Sequence, residues 1–264
     1  MQQFYEHKVV WITGASSGIG AAIALQLAQF KLKLIISARS TTELNKIKAQ
    51  CNSMPAEIVV LPFDLSQIDA FENIVAQALQ HFGKIDLLFN NGGVSQRSLA
   101  KETSLLVDRK IMEINFFANI QLSKLLLPSM LKQQYGHLII TSSISGKFGF
   151  YERSAYAASK HALHGFFESL RLETEKFGIK TLIVCPGKIK TNISFHAVDA
   201  KGNEHNKMDE SHANAMSANE CAIKIINAIS NNKEEVFIGG KELIMIKLKR
   251  FLPKLFSKII RKQN

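Results

Sequence analysis

The chain has 264 residues, 46% of them apolar, and this predicts one α/β domain with a sizeable buried core. It contains no apolar run of the roughly 20 residues that a membrane-spanning helix needs, and no leader of the secretory type is expected. The three cysteines lie far apart, which argues against a zinc site or a disulfide framework and indicates a reducing, cytoplasmic compartment.

Strand and helix patterns alternate along the chain. Strands that are almost wholly apolar, each followed by a helical pattern, predict a parallel sheet with helices on both faces, in the doubly wound Rossmann-type arrangement. The predicted strands, about seven, span residues 8–13, 32–38, 57–62, 85–90, 137–142, 180–185 and 235–238. The predicted helices span residues 19–30, 41–51, 67–82, 105–133, 155–177 and 218–230. Residues 1–240 are expected to form this single domain, with 188–217 as a substrate lid and 241–264 as an extension.

The ligand crevice of such a sheet lies beyond the carboxyl ends of its strands. Residues with clear chemical potential follow the predicted strands directly, as this placement requires. They are Gly14, Arg39, Asp64, Asn90, Ser143 and Pro186.

The segment 13–20, with sequence TGASSGIG, joins the first strand to the first helix. Glycines at such a turn let the backbone approach a pyrophosphate, and the helix start offers free N–H groups and its positive dipole end. An ordinary glycine-rich loop is the alternative, but the position after the first apolar strand favours a dinucleotide site. The candidate cofactor-binding residues here are Gly14, Ser16, Ser17, Gly18, Ile19 and Gly20.

Arg39 at the end of the second strand predicts NADP(H) as the cofactor. An NAD site usually has an acidic residue at this point, whereas an arginine accommodates the 2′-phosphate. No Asp or Glu occurs between residues 29 and 42. Arg39 can pair with phosphate through two hydrogen bonds, and Ser40 and Ser16 can add hydroxyl donors. The alternative is that Arg39 is a solvated loop charge.

Two further strand ends are expected to face the adenosine half of the cofactor. Asp64 could accept a hydrogen bond from the adenine amino group while Leu65 contributes a backbone N–H, although Asp64 could equally be a helix N-cap near Ser66. After the fourth strand, Asn91 and Gly92 would let the chain pass close to the adenine ribose. The alternative for this second segment is a plain turn.

Tyr156 and Lys160 give the sharpest catalytic signal, because positions i and i+4 share one helix face. A free tyrosine has a pKa of about 10, and a nearby lysine cation is expected to lower it. Such a tyrosine can protonate the alkoxide that forms as a hydride reaches a carbonyl. An exposed Tyr–Lys pair without function is the alternative. Ser143, 13 residues earlier, could hydrogen-bond the same carbonyl oxygen, and Asn115 could hold a water beside Lys160, although such an asparagine is often only a helix kink.

These segments together resemble the short-chain dehydrogenase/reductase family, over about residues 7–238. The matching parts are 13–20, 90–93, Asn115, Ser143, 156–160 and 186–191. The resemblance implies an enzyme acting on CH–OH donors with NADP⁺ as acceptor, and a homodimer or homotetramer packed through the helices that carry Asn115 and Tyr156. It also implies cofactor contacts from Tyr156, Lys160, Pro186, Gly187, Ile189 and Thr191. Gly93 departs from the family, which more often has alanine there.

A narrower likeness concerns residues 37–40, 90–98 and 146–156. They resemble the branch that includes the membrane-associated 11β-hydroxysteroid dehydrogenase-like reductases. That branch implies NADP(H) dependence and a lipophilic carbonyl or alcohol substrate such as a steroid, a retinoid or a lipid-like molecule.

Two segments are less decisive. The lid contains His196, His205 and His212, whose spacing does not match a compact metal site, so a solvated loop without metal is expected. The extension carries eight basic residues and one acidic residue, and its apolar stripe is Leu252, Leu255, Phe256, Ile259 and Ile260. A basic amphipathic helix suits peripheral contact with an anionic membrane surface, and docking on the sheet or on a sister subunit is the alternative.

Two other function classes compete with an oxidoreductase. A cofactor-binding regulatory or scaffold protein without turnover would be expected to lack one of Tyr156, Lys160 or Ser143, and all three are present. Nucleic-acid binding through the basic tail is not expected, because Phe251 and Phe256 are better explained by the apolar stripe.

Overall fold

A computed structural model describes residues 1–207 and 215–263 of the chain. Within these residues, seven parallel strands form one sheet in the order β3-β2-β1-β4-β5-β6-β9, which confirms the predicted fold. The strands of this sheet are β1 (Val9–Thr13), β2 (Lys33–Ser37), β3 (Glu57–Val60), β4 (Leu87–Asn90), β5 (Gly136–Thr141), β6 (Ile179–Pro186) and β9 (Glu235–Ile238). A separate two-residue pair, β7 (Ile189–Lys190) and β8 (Met216–Ser217), lies at the edge of the lid.

Helices cover both faces of the sheet. The helices are α1 (Gln2–Tyr5), α2 (Gly18–Leu27), α3 (Thr41–Gln50), α4 (Phe71–Phe82), α5 (Leu105–Met112), α6 (Ala118–Gln133), α7 (Ser154–Thr174), α8 (Ala218–Ser230), α9 (Ile244–Phe251) and α10 (Pro253–Ile260). None of the described helices combines the length and the apolar character needed to cross a bilayer.

The period-2 alternation of β1 shows how the two faces are filled. Val10 and Ile12 belong to a core built with α2, α3 and α8, whereas Val9 and Trp11 belong to a core built with α4, α6 and α7. Burial on both faces explains why the strands read as continuous apolar runs.

The long helix predicted over 105–133 is interrupted. A π-helical segment, Glu113–Phe117, joins α5 to α6, and Asn115 lies inside it. The amide of Asn119 donates to the Asn115 carbonyl oxygen at 2.5 Å, within this widened turn. Single π turns are common at functional sites, and this one carries a residue with a predicted catalytic role.

The C-terminal helices α9 and α10 fold back onto the body of the protein. Met245 and Phe256 are buried against Ile144 and Phe148, with the Phe148 and Phe256 rings 5.2 Å apart. Part of the predicted stripe, Ile259 and Ile260 included, joins this cluster. Other large apolar side chains of this segment are exposed, namely Ile244, Phe251, Leu252 and Leu255. The apolar stripe therefore has two parts. Phe256, Ile259 and Ile260 pack on the protein, whereas Leu252 and Leu255 are exposed.

Candidate active site

A cavity of about 980 Å³ opens at the carboxyl edge of the sheet. Loops that follow β1, β2, β3, β4, β5 and β6 line it, as the doubly wound topology requires. The predicted site residues that line it are Gly14, Ser16, Ser17, Gly18, Ile19, Arg39, Ser40, Asp64, Leu65, Asn91, Gly92, Ser143, Tyr156, Lys160, Pro186, Gly187, Ile189 and Thr191. Gly20 and Asn115 are buried behind its wall.

The turn between β1 and α2 is shaped to leave space for a ligand. Gly14 has φ +64°, and a Cβ placed there would lie 2.7 Å from the Gly92 Cα atom. A side chain at Gly14 would therefore be strained and would close the gap between the β1 and β4 loops. A Cβ at Gly20 would lie 2.5 Å from the Asn91 amide, so Gly20 serves close packing of α2. These residues fit a dinucleotide pyrophosphate, because the backbone cradle would be filled by a Cβ.

Thr13 ties the ends of β1 and β4 together, a role that the sequence did not reveal. Its hydroxyl donates to the Phe89 carbonyl oxygen at 3.1 Å and accepts from the backbone N–H groups of Asn91 and Gly92 at 3.0 and 3.1 Å. The Asn91 side chain donates in return to the carbonyl oxygens of Thr13 and Gly14. This reciprocal network fixes the cradle.

The far end of the cavity lies beside Arg39. Arg39 is exposed, and Ser40 caps α3 by accepting from the Glu43 N–H at 3.3 Å. The Glu43 carboxylate also lines this end, and its ion pair with Lys46 measures 2.8 Å. Ser40, one of the two predicted hydroxyl donors, therefore lines the cavity and also accepts a hydrogen bond as the N-cap of α3.

Asp64 closes a turn rather than capping a helix, because the N-cap positions of the helices that follow are Gln67 and Ala70. Its Oδ1 atom accepts from the Ser66 N–H at 2.9 Å, which is a turn closed by an aspartate side chain. Asp64 and Leu65 both line the cavity, so the adenine contact stays a prediction.

Tyr156, Ser143 and Lys160 come together where α7 passes the end of β5. The Ser143 hydroxyl donates to the Pro186 carbonyl oxygen at 3.4 Å and accepts from the Ser145 N–H at 3.1 Å. The Ser143 side chain lies close enough to Tyr156 to lower the pKa of the phenol. The Lys160 ammonium donates to the Thr141 carbonyl oxygen at 2.8 Å and lies 5.8 Å from the centre of the Tyr156 ring. The hydroxyl groups of Ser143 and Tyr156 can thus both hydrogen-bond one oxygen atom of a ligand.

The expected lowering of the Tyr156 pKa is not found. Burial raises the pKa of Tyr156, and this outweighs the lowering by the Ser143 hydrogen bond and by the charges of Arg153 and Arg97. Lys160 is not among the groups that lower it. Burial also lowers the pKa of Lys160 to about 8, because a buried ammonium loses hydration. The prediction of a lowered Tyr156 pKa was wrong, because the i, i+4 spacing of Tyr156 and Lys160 carries no information on how deeply the phenol is buried.

Asn115 braces the loop after β4 against α7. Its side chain accepts from the Val94 N–H at 2.8 Å, donates to the Val94 carbonyl oxygen at 2.9 Å, and donates to the Ser159 hydroxyl at 3.1 Å. A Cβ at Gly93 would lie 2.9 Å from the Asn115 Oδ1 atom and 3.6 Å from the Lys160 nitrogen. The glycine that departs from the family pattern therefore leaves room at this junction.

Gln96 is a site residue that sequence reasoning missed. It is fully buried, and its Oε1 atom accepts from the N–H groups of Ala155 and Tyr156 at 2.9 and 3.2 Å. These groups belong to the first turn of α7 and have no partner within the helix. Gln96 therefore caps, from a distant loop, the helix that carries Tyr156.

Glu242, at the start of the extension, was also missed. Its Oε1 atom accepts from the Lys188 N–H at 2.8 Å and from the Gly240 N–H at 3.0 Å. Burial raises the pKa of Glu242, but these backbone hydrogen bonds outweigh burial, so the pKa lies below its ordinary value. The carboxylate holds the loop after β6 in place from the C-terminal side.

His196 and His205 lie on neighbouring backbone segments, where the His205 N–H donates to the Ala197 carbonyl oxygen at 2.7 Å, but among the described residues they belong to no group of potential metal ligands. His196 is exposed and lies 3.3 Å from Glu204. His205 is half-buried, and His212, like the rest of 208–214, lies outside the described residues.

His164, Cys185 and Glu235 form the group of potential metal ligands found within the described residues. The Glu235 carboxylate is already paired with the Lys147 ammonium at 2.6 Å. Burial raises the pKa of the Cys185 thiol, so a metal would have to displace both a proton and an ion pair. The residues present therefore fit a metal ion poorly.

Comparison with known proteins gives consistent matches. Residues 8–201 match the family described as short chain dehydrogenase. The chain is 36% identical over 261 residues to the Drosophila melanogaster protein named dehydrogenase/reductase SDR family protein 7-like, covering 97% of this chain and 80% of that protein. It is 38% identical over 245 residues to dehydrogenase/reductase SDR family member 7 from Homo sapiens, covering 90% and 72%.

Solved structures agree on the fold. A short-chain dehydrogenase from Streptomyces avermitilis superposes with a TM-score of 0.81 at 28% identity, covering 98% of this chain and all of that one. A short chain dehydrogenase/reductase from Burkholderia phymatum, solved in complex with NAD, superposes with a TM-score of 0.84 at 23% identity, covering 95% of each chain.

Proposed function

The chain belongs to the short-chain dehydrogenase family, and we propose that it is an NADP(H)-dependent oxidoreductase that interconverts a carbonyl and a primary or secondary alcohol. The observation that carries this proposal is the convergence of Ser143, Tyr156 and Lys160 in the cavity that the glycine cradle opens. An oxidoreductase needs an acid/base beside a hydride donor, and this cavity offers both positions.

In carbonyl reduction, a reduced dinucleotide held by the glycine cradle would be the source of the hydride that the carbonyl carbon receives. Tyr156 then gives its hydroxyl proton to the carbonyl oxygen, and Ser143 hydrogen-bonds the same oxygen as negative charge develops there. The raised pKa keeps Tyr156 protonated at neutral pH, which is the form that reduction requires. Lys160, held by the Thr141 carbonyl oxygen, stabilises the phenolate that remains. Asn115 fixes the loop after β4 against α7 through Val94 and Ser159 and is proposed to keep a water beside Lys160.

Arg39 supports NADP(H) as the cofactor. It is the exposed cation at the β2 end of the cavity, where a 2′-phosphate would lie. The neighbouring carboxylate of Glu43 is already paired with Lys46, so it is a weak competitor for the ribose hydroxyls.

The cofactor assignment is tested by titrating NADPH and NADH into wild type, Arg39→Ala and the control Lys48→Ala, following cofactor fluorescence; Lys48 is exposed on α3 and does not line the cavity. We expect Arg39→Ala to weaken NADPH binding about 10- to 100-fold, as loss of a charge-assisted phosphate pair does, and to leave NADH binding nearly unchanged. Lys48→Ala should behave as wild type. Equal affinity of the wild type for both cofactors would refute the NADP(H) assignment, and binding of neither would refute the oxidoreductase itself.

The substrate side of the cavity suits a lipophilic molecule. Phe148, Phe150, Ile114 and Val198 line it beyond Tyr156. Residues 188–217 follow β6 and are proposed to act as the lid that sets substrate choice, over a catalytic domain of residues 1–240.

We propose a homodimer or homotetramer packed through α5 and α7. Large apolar side chains are exposed on these helices, with Leu106 at 75% and Leu172 at 73%. Leu105 and Phe117 are further large apolar side chains that are exposed.

Peripheral contact of the extension with an anionic membrane is a further part of the proposal. The exposed side chains Ile244, Phe251, Leu252 and Leu255 are accompanied by the basic residues of 241–264. A lipophilic substrate could then arrive from the bilayer surface.

A further inference from the structure

We infer that His164 is a positioning residue for catalysis, because it orients the Ser142 hydroxyl that holds Lys160 in place. His164 is buried in α7 and does not line the cavity, so it acts through these two residues rather than on a ligand. The inference rests on the proposed oxidoreductase function and adds one residue to its machinery.

Lys160 is held at both of its ends by consecutive residues that follow one another at the end of β5. Its ammonium donates to the Thr141 carbonyl oxygen at 2.8 Å. The Ser142 hydroxyl donates to the Lys160 carbonyl oxygen at 3.2 Å, in the helical turn after Tyr156. The end of β5 therefore fixes both the backbone and the charged group of the residue that is proposed to stabilise the phenolate.

His164 sets the direction of the Ser142 hydroxyl. The His164 Nε2 atom lies 3.0 Å from the Ser142 Oγ atom. That hydroxyl has a single hydrogen, which it gives to the Lys160 carbonyl oxygen, so the Nε2–H group must be the donor between the two side chains. Burial lowers the pKa of His164 to about 4, so the ring is neutral at pH 7 and has one N–H group to donate. Without this donor the hydroxyl is free to turn toward another acceptor.

The groups on the other side of the ring agree with a proton on Nε2. The His164 Nδ1 atom has no hydrogen-bond partner among the described residues and lies 3.4 Å from the Glu235 carboxylate. This carboxylate is already paired with the Lys147 ammonium at 2.6 Å and accepts from the Cys185 thiol at 3.7 Å. The titratable and charged groups around the ring are Lys147, Lys160, His161, Glu168, Cys185 and Glu235. The cluster that suits a metal ion poorly thus supports the imidazole.

Gly146 brings the loop that carries Ser143 onto the same hydrogen-bond chain. A Cβ at Gly146 would lie 2.6 Å from the Ser142 Oγ atom and 2.8 Å from the His164 Nε2 atom. It would also lie 2.9 Å from the Lys160 carbonyl oxygen. The loop can therefore pack directly on these three atoms only with glycine at this position. Packing this close shields the hydrogen bonds from water, which strengthens them.

The test uses the different reach of asparagine and glutamine. The asparagine amide reaches the place of Nδ1, whereas the glutamine amide reaches that of Nε2 and can restore the donor to Ser142. Reduction of 4-formylbenzoate and of its methyl ester by NADPH is followed in wild type, His164→Asn, His164→Gln, Ser142→Ala and the double variant of Ser142→Ala with His164→Asn. The control is His81→Asn, at an exposed position of α4. Rates are expressed per bound NADPH, counted by cofactor fluorescence.

The expected pattern is a loss in kcat that glutamine restores. His164→Asn and Ser142→Ala should each lower kcat about tenfold, as loss of one hydrogen bond does, with KM for NADPH kept within about threefold. His164→Gln and the control should stay within about threefold of wild type. The double variant should lose no more than about threefold beyond either single variant, because both changes break one chain.

A second measurement needs no turnover. The pH dependence of Lys160 acetylation, read by mass spectrometry of its peptide, reports the pKa of this ammonium in each variant. Burial is the main reason that the Lys160 pKa is low, and replacing the ring by asparagine admits water beside it. We therefore expect the pH of half-maximal labelling to rise by about one pH unit in His164→Asn, and to stay unchanged in His164→Gln and in the control.

The outcomes separate the two proposals. An unchanged kcat or unchanged labelling in His164→Asn overturns the positioning role and leaves the oxidoreductase standing. Equal losses of kcat with asparagine and glutamine would show that the ring only fills space, which also overturns it. If His164→Asn does not fold, a Ser142→Ala variant with the rate of wild type overturns it instead. The labelling shift without reduction of either aldehyde by wild type would keep the support of Lys160 by His164 and remove the proposed function.

Discussion

Replacement of Gln96 by leucine tests whether the capping of α7 from a distant loop sustains both stability and catalysis. The side chain is 0% exposed and supplies the acceptor for two N–H groups of the first helical turn. Leucine fills a similar volume without an acceptor, and it also removes the amide donor that contacts the hydroxyls of Ser98, Thr103 and Ser154.

The magnitude follows from these two bonds. A buried N–H group without an acceptor costs about 1–3 kcal/mol, and the loss of a helix N-cap costs about 1 kcal/mol. With two such groups, we expect Gln96→Leu to lower the free energy of unfolding by about 3 kcal/mol, and the melting temperature by roughly 6–12 °C for a chain of this size. Because Tyr156 is one of the capped residues, kcat/KM should fall on the order of tenfold through misplacement of its hydroxyl.

The assay combines urea unfolding with steady-state reduction of an aldehyde. Gln96→Glu keeps both acceptors and places an anion at a helix N-terminus, so it should lose less stability than Gln96→Leu. Gln50→Leu, at an exposed helix end, is the control for a glutamine-to-leucine change. A loss below about 1 kcal/mol for Gln96→Leu, with kcat/KM unchanged, would refute the capping argument.

Three further predictions address the ammonium, the oligomer and the extension. Lys160 has a pKa of about 8 in the folded protein and about 10.5 in an unfolded chain, so the unfolded state binds more protons between these pH values. The free energy of unfolding of wild type should therefore rise with pH across this window by up to about 3 kcal/mol relative to that of Lys160→Met. Urea unfolding at several pH values measures this difference, and parallel pH profiles for the two proteins would contradict the burial of the charge. Leu106→Glu should shift the sedimentation coefficient from oligomer to monomer, and an unchanged coefficient would exclude α5 from the interface. The double variant Phe251→Ser, Leu252→Ser should reduce co-sedimentation with anionic vesicles at least about tenfold and leave kcat on a water-soluble aldehyde unchanged. If wild type does not co-sediment with such vesicles, the membrane proposal is refuted.

The parts of the site that the sequence could predict are those fixed by topology. Parallel strands place their carboxyl ends at one edge, so Gly14, Arg39, Ser143 and Pro186 could be assigned to one cavity from the strand pattern alone. The i, i+4 relation likewise places Tyr156 and Lys160 on one face of α7.

The parts that the sequence could not predict depend on contacts between distant segments. Gln96 meets the start of α7 across 59 residues, and Glu242 meets the loop after β6 across 54 residues. No local pattern encodes such pairings. The direction of the Tyr156 pKa depends on burial in the whole fold, which is why a lysine one turn away gave the wrong expectation.

The extension shows the same limit for an amphipathic helix. Its periodicity correctly indicates an apolar stripe, but a stripe does not specify what covers it. In the structure Phe256 packs on Phe148 while Leu255 is exposed, so one stripe has two environments.

Transfer of deuterium from C4 of NADPH to a carbonyl substrate tests the central claim most directly. Both C4-deuterated epimers are incubated with 4-formylbenzoate and its methyl ester, and the alcohol product is examined by mass spectrometry for wild type and Tyr156→Phe. We predict that one epimer labels the carbinol carbon with wild type, and that Tyr156→Phe lowers the rate at least about 100-fold while NADPH binding is kept. Alcohol formed without label from either epimer, or formed equally fast by Tyr156→Phe, would contradict hydride transfer with Tyr156 as the proton donor.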